Sequence, residues 1–238
     1  MIRFYFVIVF CVFEIIYYVP KMAYYAKHPE KYSDEDCYSL AQDVIRRVRR
    51  TARVTTEYYG VENLPAEGGY IMYANHQGKY DAIGILLGHK RPCALLMDEK
   101  RSRMLIANQF VSLVRGQRID RDSARKQIRT LHTIADEVAE GRAYLIFPEG
   151  GYKKGQKNAT GDFKYGCFSC SYRSKTPIVP VAIVDSYKPF GENSLKKVTT
   201  KVIFLPPIPY EEYADIKPKE ISLLVKNKID NEIEKWTA

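Results

Sequence analysis

A chain of 238 residues is long enough for one substantial core and short for two full domains, and its 46% hydrophobic and 27% charged residues exclude disorder as the default state. The formal charge of +9 implies attraction to anions, whether an acidic membrane surface, a phosphorylated substrate or nucleic acid. There is no zinc-type Cys/His spacing and no RNA-recognition motif, and the aromatic residues are mostly tyrosines inside apolar runs, so no nucleic-acid partner is expected.

In chain order, residues 4–19 come first, apolar throughout except for Glu14. As one helix this run would be about 24 Å long against a bilayer core of roughly 30 Å, marginal for a straight crossing. No small-residue cleavage site follows; instead come Pro20, Lys21 and a Tyr-rich stretch. A retained anchor is predicted, embedded in one leaflet or barely spanning. Next, Ser33 is a plausible N-cap for a helix over 34–51, with Leu40, Val44, Ile45 and Val48 on one face and Arg46, Arg47, Arg49, Arg50 and Arg53 on the other. An apolar stripe beside dense arginine suits an interfacial helix among anionic head groups; packing on the core is the alternative.

From Val54 onward short apolar runs alternate with longer periodic stretches. Strands are predicted over 54–59, 70–74, 93–97, 143–147, 178–184 and 198–204. Helices are predicted over 82–87, 100–111, 123–140, 167–174 and 219–236, the third with Asp122 or Ser123 as cap and Gly141 just past its end. The alternation implies an α/β fold with a mostly parallel sheet flanked by helices, preceded by a membrane-associating helical segment. Residues 1–53 would form the anchor and basic helix, 54–210 the α/β domain, and 211–238 a helix packed on that domain. Cys11, Cys37, Cys93, Cys167 and Cys170 are odd in number and scattered, which fits a reduced compartment better than a disulfide framework. Cys167 and Cys170 lack the flanks of a redox motif and read as two small apolar residues on one helical face.

In such sheets the chemistry lies beyond the carboxyl ends of the strands. The run from Tyr70 to Asp81 is a strand entering a polar loop, so His76 should emerge at the strand end and Asp81 should open the next helix. A loop of this length can fold back, letting the carboxylate hold one ring nitrogen of His76 while the other takes a proton from a hydroxyl. The segment Phe147-Pro148-Glu149-Gly150 also ends an apolar strand and should reach the same edge. In Gly116–Arg121 a guanidinium is available to grip phosphate. Pro180 interrupts the apolar run 178–184, which suggests an edge strand or a bulge.

Together and in this order, Asn75-His76-x-x-x-x-Asp81, the Arg121 segment, Phe147-Pro148-Glu149-Gly150 and the Pro-containing strand resemble the glycerolipid acyltransferase family, which includes the bacterial 1-acyl-sn-glycerol-3-phosphate acyltransferases. The likeness covers about residues 54–210. It implies His76 as general base, Asp81 as its orienting partner, and Arg121, Glu149 and Gly150 as the residues that position a phosphorylated acceptor. Lys164 and Gly166 match a further basic segment, and Lys100 is an additional cation placed near the thioester oxygen. The implied reaction moves a fatty acyl group onto the sn-2 hydroxyl of lysophosphatidic acid at the cytoplasmic face of a membrane. Acyl-CoA or acyl-carrier protein would be co-substrate, with no metal and no other cofactor. Other acceptors (glycerol 3-phosphate or another lysophospholipid), a thioester hydrolase, and a catalytically silent membrane-binding protein of the same fold are the alternatives. The chain departs from the pattern at Gly78, where relatives often carry Ser, and at Gly151-Tyr152, where they carry Thr-Arg. Lys153 and Lys154 lie close enough to stand in for the missing arginine.

Overall fold

In the computed structural model, which describes residues 2–237 and so leaves Met1 and Ala238 aside, the apolar amino-terminal run folds as two helices rather than one. These are α1 (Ile2–Phe10) and α2 (Val12–Lys27), bent by 75° at Cys11. Among the described residues no single helix is long and apolar enough to cross a membrane, although the bent pair together has the length and composition. Cys11 is buried at the corner with Ala52, Val54 and Phe190, and its thiol donates to Thr51 Oγ1 at 3.4 Å. Beyond it α2 passes through Pro20 to Lys27, further than the apolar run alone implies. Arg3 fastens α1 from inside. Its guanidinium is fully buried and donates to the carbonyls of Pro189 at 2.9 Å and Lys188 at 3.3 Å, and also to that of Lys196.

Helix α3 (Asp34–Thr51) opens with a reciprocal cap: Asp36 N–H donates to Ser33 Oγ at 3.1 Å and Ser33 N–H to Asp36 Oδ2 at 3.0 Å. Such a cap contributes about 1 kcal/mol. Its apolar stripe, with Tyr38, Leu40, Ala41 and Ile45, is buried in the core. This corrects the interfacial reading: the stripe is already covered by protein, and only the arginine face, with Arg46, Arg47, Arg50 and Arg53, stays exposed.

The chain then runs through β1 (Val54–Tyr59), β2 (Tyr70–Ala74), α4 (Asp81–Gly88), β3 (Cys93–Asp98), α5 (Glu99–Ser102), α6 (Leu105–Leu113), β4 (Gln117–Ile119) and α7 (Ala124–Ala139). It continues through β5 (Ala143–Ile146), α8 (Ser169–Ser174), β6 (Ile178–Val184), α9 (Lys188–Gly191), β7 (Val198–Phe204), α10 (Tyr210–Tyr213) and α11 (Pro218–Thr237). The seven strands form one sheet in the order β1-β7-β6-β2-β5-β3-β4. Only the β6–β7 pairing is antiparallel, so β1 and β7 run against the other five strands. The carboxyl ends of β2, β3, β4, β5 and β6 therefore lie along one edge. Every residue of β2, β5 and β6 is buried, as expected of strands covered on both faces. One face packs Met72, Leu145 and Val179 with Met22, Leu40 and Leu86; the other packs Ile71, Ile146 and Ala182 with Ile134, Cys170 and Val225. Each large apolar side chain so buried contributes about 1.5–3 kcal/mol.

Three expectations change. The short strand β4 was not anticipated, and the helix expected over 100–111 is interrupted at Arg103 and Met104. Pro180 marks neither an edge nor a bulge, because β6 pairs on both sides. The Pro180 carbonyl accepts from Leu205 N–H at 3.0 Å, so the nitrogen without a proton faces β7 where that strand has just ended at Phe204. The missing donor falls where no ladder bond is required. All five cysteines are free; Cys170 is buried and Cys167 half-buried.

Candidate active site

His76 stands two residues beyond the end of β2, and Asp81 is the first residue of α4. The turn between them folds the carboxylate back onto the ring: His76 Nδ1 lies 2.6 Å from Asp81 Oδ2. That same oxygen accepts the backbone N–H groups of Gln77 at 2.5 Å and Gly78 at 2.8 Å. An acceptor this well supplied with donors fixes Nδ1 as the protonated nitrogen, which leaves the lone pair of the neutral ring on Nε2. Nε2 has no hydrogen-bond partner among the described residues. The side chain of His76 is 17% exposed and that of Asp81 0%.

The loop that carries the pair is pinned by buried amides. Asn75 extends the β2–β6 pairing with its side chain, giving Nδ2–H to Ile183 O at 3.1 Å and accepting Ile183 N–H at 2.8 Å. Gln77 donates to Ile183 O at 2.8 Å and to Asn158 Oδ1 at 3.0 Å, and it accepts Ser186 N–H at 2.8 Å. Two neutral side chains thus replace ladder bonds just where the strand must release His76. Removing either would leave buried donors unpaired, at about 1–3 kcal/mol each.

Beside this loop, β5 delivers Phe147, whose ring stacks on the imidazole at 4.4 Å between centroids and 22° between planes. Gly150 (φ 71°) and Gly151 (φ 150°) then reverse the chain through backbone conformations that only glycine adopts without strain. This brings Tyr152 into a T-shaped contact with the imidazole, at 4.9 Å and 76°. Burial raises the phenol's pKa, Arg101 lowers it, and Asp81 raises it further. Tyr152 therefore stays a neutral hydroxyl. Sequence reasoning missed it as a site residue; the two consecutive glycines before it are the signal that a tight reversal was coming.

The remaining expected residues separate into four groups. Glu149 spends both oxygens on protein: Oε1 accepts the His76 N–H at 2.7 Å, and Oε2 accepts Gly161 N–H at 2.7 Å and Gln156 Nε2 at 3.1 Å. It ties its own long loop to the backbone of His76. Arg121 and Lys164 flank the glycine turn, since a β-carbon at Gly151 would lie 3.9 Å from Arg121 Nη1 and one at Gly150 3.0 Å from Lys164 Nζ. Arg121 is also paired with Asp98 at 2.9 Å. Lys100 is in an ion pair with Asp122 at 2.7 Å, with its side chain 80% exposed. Lys153, Lys154 and Gly166 are exposed. Among the described residues no three His, Cys, Asp or Glu side chains are grouped so as to hold a metal ion.

What the arrangement offers is an oriented imidazole with one open nitrogen, at a strand edge, with two cations across a glycine turn. Comparison with known proteins gives the family and the fold. A family model described as Acyltransferase matches residues 55–184. A 1-acyl-sn-glycerol-3-phosphate acyltransferase of Saccharomyces cerevisiae is 33% identical over 127 residues, covering 52% of this chain and 41% of that protein. One of Chlamydomonas reinhardtii is 30% identical over 184 residues, covering 74% and 54%. The chain thus spans about half the length of the curated relatives it matches. The crystal structure of the 1-acyl-sn-glycerophosphate (LPA) acyltransferase PlsC from Thermotoga maritima superimposes with a TM-score of 0.79 at 18% identity, covering 98% of this chain and 94% of that one, which shows a shared fold. With the motif order, the matched span and the fold in agreement, the chain belongs to the acyltransferase family.

Proposed function

We propose that the protein transfers a fatty acyl group from an acyl thioester to the sn-2 hydroxyl of 1-acyl-sn-glycerol 3-phosphate, making phosphatidic acid. The observation that carries this reading is the 2.6 Å contact between His76 Nδ1 and Asp81 Oδ2, which leaves Nε2 as the open base. Nε2 takes the hydroxyl proton as the hydroxyl oxygen attacks the thioester carbonyl carbon. Asp81 stabilises the resulting imidazolium. The tetrahedral oxyanion is met by nearby N–H groups or a cation. When it collapses, the carbon–sulfur bond breaks and the imidazolium returns its proton to the leaving thiolate. No covalent enzyme intermediate is needed, because a thioester is already activated.

Arg121 and Lys164, at the glycine turn, are the cations suited to the acceptor phosphate. Glu149 acts on the acceptor only indirectly, by fixing the backbone of His76. The donor is acyl-CoA or acyl-carrier protein, with no metal and no further cofactor. The exposed apolar surface of α1 and α2, including Val9, Phe10, Phe13 and Ile16, suits a position embedded in the cytoplasmic leaflet. The test is a purified-enzyme assay with labelled lysophosphatidate and each donor type. Formation of labelled phosphatidate supports the reading. Release of free fatty acid without acceptor consumption would make the protein a thioester hydrolase, and product only with glycerol 3-phosphate or another lysophospholipid would change the acceptor.

A further inference from the structure

The exposed apolar residues do not all belong to α1 and α2. A second group, Met104 (63% exposed), Leu105 (66%) and Ile106 (40%), sits where the chain turns from α5 into α6. Three consecutive apolar side chains left in water on the outside of a folded domain are unusual, and this turn has no packing reason to carry them. Its place in the fold supplies one. It follows the carboxyl end of β3, on the same sheet edge that presents His76 at the end of β2. On the other side of β2, beyond β6, α1 packs against α9, with Lys79 of the catalytic loop 4.0 Å from the Phe4 ring. The apolar surfaces thus share the sheet edge that carries the histidine: α1 beside α9, and Met104–Ile106 at the start of α6, the helix against which α2 packs.

The charges around the second group have the sign an acidic head-group layer requires. Lys100, Arg101 and Arg103 immediately precede it and are all exposed. Lys100 and Arg103 are partly neutralised by Asp122 and Glu99, whereas Arg101 has no ion-pair partner among the described residues. Long basic side chains beside an apolar tip can lie along it while their heads stay among phosphates.

We infer that the Met104–Ile106 turn is a second membrane contact, which inserts into an anionic bilayer surface together with α1 and α2 so that the sheet edge carrying His76 faces the lipid. This inference rests on the membrane-surface reading given above. A second copy of the chain is the less favoured occupant, because a chain with a formal charge of +9 would set its own positive charge against Lys100, Arg101 and Arg103.

Single-tryptophan full-length variants test it. In a Trp236→Phe background, Leu105→Trp and, separately, Phe13→Trp are mixed with phosphatidylglycerol-containing vesicles with and without bromine on the acyl chains. Quenching of both emissions supports the inference. Quenching of Phe13→Trp alone overturns it and leaves the membrane reading standing; quenching of neither removes both. A Leu105→Trp emission that shifts with protein concentration and ignores lipid assigns the turn to a second copy and likewise overturns the inference. As an independent arm, Leu105→Glu should weaken vesicle binding by about tenfold or more, while turnover of a short-chain, water-soluble lysophosphatidate is unchanged.

Discussion

Two histidines bracket α4, and the contrast between them shows what suits one to the proposed role of base. His89, just past the carboxyl end of the helix, is 1% exposed and has both ring nitrogens occupied. Its Nδ1–H donates to Arg91 O at 2.7 Å, and its Nε2 accepts the Tyr70 hydroxyl at 2.5 Å. Burial pushes its pKa down to about 4, against the small upward pull of the Arg91 carbonyl. His76, ahead of the amino end, gives one nitrogen to a carboxylate and leaves the other open at a partly exposed face. A ring with two neutral partners is a satisfied core group. A ring with one charged partner and one vacancy can take up a proton and hold it.

Breaking the comparison at its strong end should have the largest effect. His76→Ala is expected to lower kcat by about 10² to 10⁴, the usual share of a positioned base, with the thermal midpoint unchanged. Asp81→Asn should come next, at roughly 10² or more, because an amide can present its own N–H to Nδ1 and so reverse the tautomer. A steady-state assay on folded variants checks both, and near-normal turnover in either would remove the dyad from the mechanism.

His89 sharpens the contrast in the opposite sense, through stability rather than rate. The folded protein refuses a proton that the unfolded chain accepts below its ordinary pKa of 6.5. Its contribution is therefore fully present above pH 6.5, declines as the pH falls and levels off near 4. The loss amounts to about 3 kcal/mol. Urea unfolding of wild type and His89→Gln across this range should differ by that slope, while turnover at neutral pH stays similar in both. Parallel pH dependences would mean that His89 is not held neutral.

Much of this was legible from residue order. An apolar run that ends in Asn75-His76 marks a buried strand and its exit, and five-residue spacing to Asp81 leaves just enough chain to fold back. What escaped depends on contacts between segments far apart in sequence. The corner at Cys11 exists because α1 has its packing partner in α9 and α2 has its own in α3 and α6, and no local signal encodes that. Strand β4 is three half-buried residues, too short for a period to show. Glu149 reads as a substrate ligand until Gly161 and the His76 backbone are seen to occupy it. Lys100 reads as a site cation until Asp122 takes it up.

Smaller effects are expected around the base. Arg121→Glu should raise the acceptor KM by about tenfold and leave kcat nearly constant, since the side chain is 41% exposed and already shares its charge with Asp98. An unchanged KM would assign the phosphate to Lys164 alone.

Tyr152 should give the smallest change and the most specific one. His76 stacks on Phe147 and makes a T-shaped contact with Tyr152, and an aromatic contact of this kind contributes about 0.5–1.5 kcal/mol. If Tyr152 acts by holding the ring, Tyr152→Phe should behave as wild type, whereas Tyr152→Ala should lose about two- to tenfold in kcat. The alanine variant should also hydrolyse more thioester in the absence of acceptor, because water then reaches the open edge of the imidazole. An equal loss in the phenylalanine variant would show instead that the hydroxyl itself is used. That outcome would move Tyr152 from positioning the base to stabilising the reacting atoms, a role the neutral His89–Tyr70 pair cannot take on in the closed core.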